Sequence, residues 1–190
     1  MSATLPPPAT LDDLMRVDGK AELINGRVVH IMPSGYLPGE VALEIVVRLR
    51  DYARATRIGV ALGDNVGYAL RPAPRAGRQS FAPDASYYTG PLPANRMRFI
   101  EGAPDLAVEV RSENDYGPAA EQELADKRAE YFAAGTLVVW DVDPLARAVT
   151  SYRADAPDAP AVYGPGGVAE AEPACPGWRV PVADLFPGNL

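Results

Sequence analysis

The N-terminal half of the chain carries two spacing patterns of apolar residues. Within residues 21–32, two apolar runs flank Asn25-Gly26, a pair typical of a tight turn between antiparallel strands, so this segment predicts a β-hairpin. Over residues 38–56, apolar side chains recur every three or four positions, which predicts an amphipathic helix. Short apolar runs predict further strands at 58–62, 66–70 and 84–89.

The clearest strand pattern covers Asp105–Arg111, where apolar and polar residues alternate. A helix is predicted from Pro118, which suits a first helical turn, to about Ala134, just before Gly135. Further strands are predicted at 136–142, 148–152, 161–163, 168–171 and 178–182. This order predicts a mixed α/β fold in which helices cover a central sheet, with a small C-terminal β appendage.

We expect a single domain over residues 19–190, preceded by an N-terminal tail at 1–18 that is rich in proline and contains one short helical turn. A chain of 190 residues with 47% hydrophobic residues is long enough for one sizeable core. No apolar stretch approaches the roughly 18 residues that cross a bilayer, and no signal peptide is visible. We therefore expect a cytoplasmic protein without a membrane partner.

Composition narrows the possible chemistry. The single cysteine, Cys175, excludes an internal disulfide and a cysteine-rich zinc site, and the single histidine, His30, argues against a histidine-ligated zinc. The chain also lacks the signature motifs of phosphate-binding loops, serine hydrolases and zinc proteases. Asp and Glu side chains are therefore the main candidates for catalytic or metal-binding groups.

The net charge of −7 conceals a basic middle segment. Residues 44–98 carry a net charge of +5, whereas residues 99–190 carry −10. An acidic total argues against strong nonspecific binding to nucleic acid, because phosphate neutralisation supplies most of that affinity. The basic segment predicts a focused patch on one side of a cleft, or else a set of ordinary solvated arginines.

Two acids stand where neighbouring strands are predicted. Asp84 follows Pro83 at the start of one strand, and Glu109 lies on the polar face of Asp105–Arg111. Two carboxylates at the ends of adjacent strands suit a hard cation such as Mg²⁺ or Mn²⁺. The alternative is that Asp84 belongs to a turn and Glu109 to a solvated face.

Lys127 falls on the apolar stripe of the predicted second helix, which should face the sheet. The chain has 16 arginines and only two lysines, which favours a role that needs an amine. An inward lysine requires carboxylates or a substrate anion nearby. The alternative is a lysine at the edge of the stripe whose amine reaches solvent.

Several short motifs follow one another along the chain: Pro83-Asp84, Glu109-Val110-Arg111-Ser112, Lys127-Arg128-x-x-Tyr131-x-x-x-Gly135 and Trp140-x-x-Asp143-Pro144. Their order and spacing resemble those of the Uma-two family of restriction-endonuclease-like domains, a branch of the PD-(D/E)XK nuclease superfamily. The resemblance extends from Glu22 to Phe186 and implies a restriction-endonuclease-like fold.

The resemblance also implies a function, namely hydrolysis of DNA phosphodiester bonds by an endonuclease that depends on Mg²⁺ or Mn²⁺. By the family pattern, Asp84 and Glu109 are catalytic residues that ligate the metal. Arg111 occupies the lysine position of the strand motif, and Lys127 corresponds to a catalytic lysine moved onto the following helix. A homodimer is the family-based expectation.

Some assignments stay open. The glutamate that completes such a site in many relatives comes from the first helix, so Glu40 and Glu44 are candidates, and Glu22 matches a family position without a clear role. The basic segment supplies four candidate DNA-binding residues: Arg48, Arg54, Arg78 and Arg98. The competing hypotheses are a catalytically inactive nuclease-like domain that binds nucleic acid or a protein partner, and an ordinary α/β domain whose acids have no function.

Overall fold

The computed structural model describes residues 7–188, which form thirteen β-strands and three α-helices. The strands are β1 (Ala21–Ile24), β2 (Arg27–His30), β3 (Val60–Gly63), β4 (Tyr68–Ala69), β5 (Ser80–Phe81), β6 (Ala85–Tyr88), β7 (Ile100–Glu101), β8 (Leu106–Val110), β9 (Val138–Asp143), β10 (Ala148–Arg153), β11 (Ala156–Tyr163), β12 (Val168–Glu170) and β13 (Arg179–Pro181). The helices are α1 (Leu11–Leu14), α2 (Tyr36–Thr56) and α3 (Pro118–Ala133), and a 3₁₀ turn follows at Val182–Leu185. The first six residues of the predicted tail lie outside the described residues.

A six-stranded mixed sheet with the order β11-β10-β9-β8-β6-β3 forms the centre of the molecule. Strands β8 and β9 run parallel because α3 connects them as a crossover, and the other neighbours in this sheet run antiparallel. The predicted mixed α/β fold is therefore confirmed.

The predicted hairpin is also confirmed, since β1 and β2 pair antiparallel around Asn25 and Gly26. Both turn residues have positive φ angles, 51° and 68°, as a two-residue type I′ turn requires. Two other small sheets form, one from β5, β4 and β7 and one from β12 and β13. Strands β3 and β4 follow each other in sequence but belong to different sheets.

The two long helices lie close to their predicted bounds. α2 begins two residues earlier than expected, and α3 begins at Pro118 and is followed by Gly135 with a φ of 105°. Glycine is favoured at such a helix end because the left-handed conformation costs it little. Within residues 7–188, no helix combines the length and apolarity that a bilayer crossing requires.

The two faces of β8 contact different helices, as its alternating sequence predicts. Leu106, Val108 and Val110 form a core with apolar residues of α2. Ala107 and Glu109 lie on the opposite face, where Ala107 packs in a cluster with α3 and Glu109 bonds to two of its side chains. The sheet therefore separates an apolar layer from a layer that contains charged groups.

The C-terminal strands contribute to the main core. Trp178 stacks on Trp140 of β9, with ring centroids 5.1 Å apart and planes inclined by 21°. Val180, Val182 and Leu185 are buried in the same cluster as the inward residues of α2. The predicted C-terminal β segment thus closes one side of the central sheet.

The segment before the hairpin also packs on the domain. The side chain of Thr10 and that of Asp13 bond reciprocally to each other's backbone amide, and this capping box starts α1. Leu11 and Leu14 are buried against Leu23 of the hairpin and its neighbours. The packing suggests that the folded unit begins before residue 19.

Replacing Leu14 by alanine tests whether α1 belongs to the domain. Leu14 is 2% exposed, so Leu14→Ala should lower the free energy of unfolding by about 3 kcal/mol through lost burial and a cavity. Leu43→Ala on the exposed side of α2 is the control and should change it by less than about 0.5 kcal/mol. Urea unfolding measures both. Equal effects would place α1 in a tail, as the sequence predicts.

Candidate active site

Asp84 and Glu109 lie beside each other at one end of two central strands. Ala85 of β6 pairs with Val108 of β8, and the two acids are the next residues beyond that pair. The Asp84 carboxylate accepts a hydrogen bond of 2.8 Å from the amide of Val110, the residue after Glu109. The antiparallel pairing of β6 with β8 thus brings the two acids together.

Helix α3 supplies two hydrogen-bond donors to Glu109. Lys127 Nζ lies 2.6 Å from Glu109 Oε2, and the Tyr131 hydroxyl donates to Oε1 at 2.7 Å. Residues four apart lie on the same helix face, which is why both reach one carboxylate. The orientation of Glu109 is therefore fixed from both of its oxygens.

The hairpin adds a buried acid, Glu22 of β1, which is 2% exposed. The Ala82 amide donates to Glu22 Oε1 at 2.9 Å, and Arg78 Nε donates to Oε2 at 3.0 Å. Lys127 Nζ lies 3.9 Å from Oε1. A buried carboxylate needs such partners, since burying an unpaired charge is very costly.

Arg78 joins the hairpin to α3. Besides Glu22 it binds Glu130, with NH1 2.7 Å from Glu130 Oε2 and its backbone amide 3.0 Å from Oε1. The preceding residue, Gly77, has a φ of 79°, and a Cβ there would lie 2.6 Å from Glu130 Oε1. Glycine at position 77 therefore lets the loop approach α3 and place Arg78 between the two acids.

The cluster shifts the pKa of Glu109 upward. Burial is the main cause, and the like charges of Asp84 and Glu22 act in the same direction, whereas Lys127 opposes them. For Lys127, burial alone would lower the pKa, but the nearby Glu109 and Glu22 outweigh it and raise the pKa above its usual value. Lys127 therefore stays protonated at neutral pH.

The pKa of Glu22 moves in the other direction. Burial favours its neutral form, but the charges of Lys127 and Arg78 and the hydrogen bonds from Ala82 and Arg78 hold its pKa below the usual value. Glu22 is thus a permanent anion in the folded protein at neutral pH, and it balances the two cations beside it.

The acids open into a cleft of about 1200 Å³. The hairpin, the start of α2, the loop after β8 and the exposed side of α3 form its walls. Its lining includes all of the residues that the sequence assigns a possible catalytic role except Glu40 and Glu44. The lining contains seven Asp or Glu residues and four Lys or Arg residues, so the cleft is acidic.

Glu40 and Glu44, the helix candidates for a third acid, lie on α2, which packs on the sheet face opposite to the Glu109 side chain. Glu44 instead forms an ion pair with Arg48, with Oε1 2.6 Å from Nε. The acid that the structure places beside Lys127 is Glu22, and not Glu40 or Glu44. A hairpin acid is hard to recognise from sequence because its burial depends on the loop that carries Arg78.

Arg111, in the lysine position of the strand motif, forms ion pairs at the edge of the cleft. It binds Asp141 of β9 at 2.7 Å and also pairs with Glu121 of α3. These hydrogen bonds raise the pKa of Arg111, which is already too high for proton transfer. Arg111 ties α3 to the sheet beside the acids.

The four predicted DNA-binding arginines do not form one side of the cleft, so that prediction is wrong for three of them. Only Arg78 is among the described residues that line it. Arg48 binds Glu44 and Asp184, Arg54 binds Asp51, and Arg98 donates to the Met15 sulfur. Nearness in sequence misled here, because residues 44–98 run through α2, strands of two different sheets and long loops.

Sequence reasoning missed three parts of the cluster. Lys20 lies 3.5 Å from Asp84 Oδ1, Tyr131 bonds to Glu109 and Glu130 bonds to Arg78. One signal was available, because Tyr131 follows Lys127 by one helical turn on the same stripe. The partners of Lys20 and Glu130 follow from the course of long loops, which periodicity does not reveal.

The fold is similar to that of a crystal structure from Anabaena variabilis ATCC 29413, described as a putative nuclease belonging to DUF820. The two chains have 22% identical residues and a TM-score of 0.73, and the match covers 94% of this chain and 98% of the other. The chain thus has a nuclease-like fold, consisting of a mixed central sheet with helices on both faces.

A family model described as "Uma2: Putative restriction endonuclease" matches residues 9–183, and the chain belongs to this family. The family resemblance found in the sequence is confirmed. No curated protein sequence matches the chain.

The donor set of the cluster fits a magnesium ion. Within residues 7–188, no group of three or more His, Cys, Asp or Glu side chains could hold one ion together. Mg²⁺ does not require such a group, because it is usually held by one or two carboxylates and retains several waters. Asp84 and Glu109 lie side by side at an open cleft, and they are the two residues whose oxygens would hold such an ion.

Replacing Glu22 by glutamine tests the charge balance of the cluster. Because the pKa of Glu22 is lower in the folded state, its contribution to stability is present above about pH 4.5 and is lost as the pH falls through the folded pKa. Glu22→Gln should lower the free energy of unfolding by about 3 kcal/mol at pH 7, since two buried cations lose a partner. The difference from the unmodified protein should shrink toward pH 3.

Urea unfolding in a chelating buffer at the two pH values measures this difference. Glu44→Gln removes an acid from a more exposed ion pair and should cost less than about 1 kcal/mol at either pH. A loss for Glu22→Gln that is equal at pH 7 and pH 3 would contradict the account of Glu22 as a buried anion.

Proposed function

We propose that the protein is a metal-dependent endonuclease that hydrolyses DNA phosphodiester bonds. The observation that carries this proposal is the convergence of Asp84, Glu109 and Lys127 in one open cleft, with Glu109 held by α3. Membership of the family whose model is described as "Putative restriction endonuclease" supports the same reaction.

Asp84 and Glu109 would hold Mg²⁺ or Mn²⁺ in this proposal. A bound divalent ion lowers the pKa of a coordinated water and neutralises charge on the scissile phosphate. The Val110 amide fixes one oxygen of Asp84, and Lys127 and Tyr131 fix Glu109. The chain thus orients both carboxylates before any ion arrives, which lowers the cost of binding.

Lys127 acts as a permanent cation. Since Glu109 and Glu22 raise its pKa, it is a poor general base, and proton abstraction is not its role. It lies against the acid cluster with 16% of its side chain exposed, so its ammonium group can orient an attacking water or stabilise charge that develops on the phosphate. Arg111 is directed elsewhere, since its guanidinium binds Asp141 and Glu121 and not the acid pair of Asp84 and Glu109.

We propose further that the protein acts in the cytoplasm as a homodimer. A symmetric dimer would contain two copies of the cluster formed by Asp84, Glu109 and Lys127.

A second candidate function is that of an inactive nuclease-like domain that binds nucleic acid or a protein. The charge of the cleft favours the protein-binding form of this candidate, since seven acids outnumber four cations and would repel phosphate in the absence of a metal. Cleavage assays separate the two candidates.

Replacing Lys127 by methionine tests the proposed reaction. The protein should cut plasmid DNA, native or heat-denatured, when Mg²⁺ or Mn²⁺ is present. Lys127→Met keeps an apolar stem but removes the charge, so the cleavage rate should fall by roughly 10²–10³, the effect of one lost electrostatic stabiliser. Lys127→Arg should restore the charge but not the geometry and recover only part of the rate.

Arg54→Glu is the matched control, because Arg54 lies away from the cleft in a surface pair with Asp51. It should leave the rate unchanged. Absence of metal-dependent cleavage from both forms of the plasmid would refute the endonuclease and favour the inactive domain. Full activity of Lys127→Met would show that Lys127 does not serve the reaction.

A further inference from the structure

The rim of the cleft exposes large apolar side chains. Five residues form this apolar rim: Val29, Met32, Tyr36, Tyr116 and Leu145. Three of them are strongly exposed, with values of 81% for Met32, 73% for Leu145 and 66% for Tyr36. Exposed apolar groups gathered around one cleft indicate a binding surface.

The rim has two sides. On one side, Val29 belongs to β2, Met32 to the segment after it and Tyr36 to the start of α2. On the other side, Tyr116 and Leu145 come from the loops after β8 and β9. The acid cluster of Asp84 and Glu109 lines the same cleft. A ligand that reaches the acids therefore also meets the rim.

The four cations of the cleft are already bound to acids of this chain. Arg78 binds Glu22 and Glu130, Lys127 binds Glu109, Arg111 binds Asp141 and Glu121, and Lys20 faces Asp84. The described lining thus has little positive charge to offer a phosphate backbone. A duplex presents mainly phosphates to a protein surface, and its affinity comes from neutralising them.

We propose that the substrate of this cleft is a nucleic acid strand with unpaired bases, which stack on the apolar rim. This inference rests on the proposed function and names its substrate class. Unpaired bases expose flat apolar faces, and stacking on aromatic side chains binds them without sequence preference. A paired duplex hides those faces, so it gains nothing from Tyr36 or Met32.

Binding experiments with Ca²⁺ in place of Mg²⁺ test this, because Ca²⁺ also binds carboxylate oxygens and offsets the acidic charge of the cleft but activates water less. A fluorescein-labelled 12-nucleotide single strand and the duplex of the same sequence are compared by fluorescence anisotropy. The single strand should bind at least tenfold more tightly. Its affinity should fall by no more than about tenfold between 50 and 200 mM salt, since few phosphates are neutralised.

Variants at the rim show whether stacking causes the preference. Tyr36→Ala should weaken single-strand binding by roughly 5- to 100-fold, the scale of one lost base–aromatic contact. Tyr36→Phe keeps the ring and should bind as the unmodified protein does. Met97→Ala removes a methionine that is 91% exposed away from the cleft, and it should have no effect.

Three results would overturn the inference: tighter binding of the duplex, single-strand binding that Tyr36→Ala leaves unchanged, or preferential cutting of the native plasmid. Light scattering, which measures the oligomeric state, provides a fourth result that would overturn the inference. If Tyr36→Ala dissociates a dimer and leaves strand affinity unchanged, the apolar rim is a contact between copies of the chain. If the proposed endonuclease function itself is wrong, neither the native nor the heat-denatured plasmid is cut, which distinguishes that outcome from a wrong substrate class.

Discussion

The contact between Lys127 and Glu109 is the interaction on which the rest of the site depends. Neither charge is stable alone in this position, because α3 and the sheet shield both from water. Pairing them fixes the rotation of α3 against β8, and Tyr131 adds a second bond from the same helix face. Glu22 adds a second negative charge beside Lys127, and Arg78 links Glu22 to Glu130, which follows Lys127 by three residues on α3. Helix, hairpin and loop are thus held together by a single chain of alternating charges.

Much of the fold could be predicted from local patterns. The turn at Asn25-Gly26, the helix that ends before Gly135 and the alternation in β8 each follow from short-range sterics or periodicity, and each is found in the structure. The strand β11 shows where prediction from local patterns is insufficient. It begins at Ala156, five residues before the expected start, because its two prolines are tolerated on an edge strand with one bonded neighbour. Proline read alone argues against a strand, and only the tertiary position explains it.

The site was predictable where its residues are local and not where they are distant. Asp84 directly precedes β6, Glu109 lies near the end of the neighbouring strand β8, and Lys127 lies on the inward stripe of the next helix, so patterns place them on one side of the sheet. The position of Glu22 between Arg78 and Lys127 depends on long-range packing of the hairpin against a glycine-containing loop. The prediction that four arginines line one side of the cleft was wrong for the same reason. A charge summed along a segment says nothing about the face on which each side chain lies. Three of the four pair elsewhere, and the cleft is acidic.

The central claim is that Asp84 and Glu109 form one site for a divalent cation. Titration of the protein with Mn²⁺, followed by the electron paramagnetic resonance signal of the free ion, measures it most directly. The account predicts saturable binding of one ion near this pair, with affinity lowered by more than about tenfold in Asp84→Asn and in Glu109→Gln, and unchanged in Glu44→Gln. Binding that is absent, or that survives both substitutions at the pair, would contradict it.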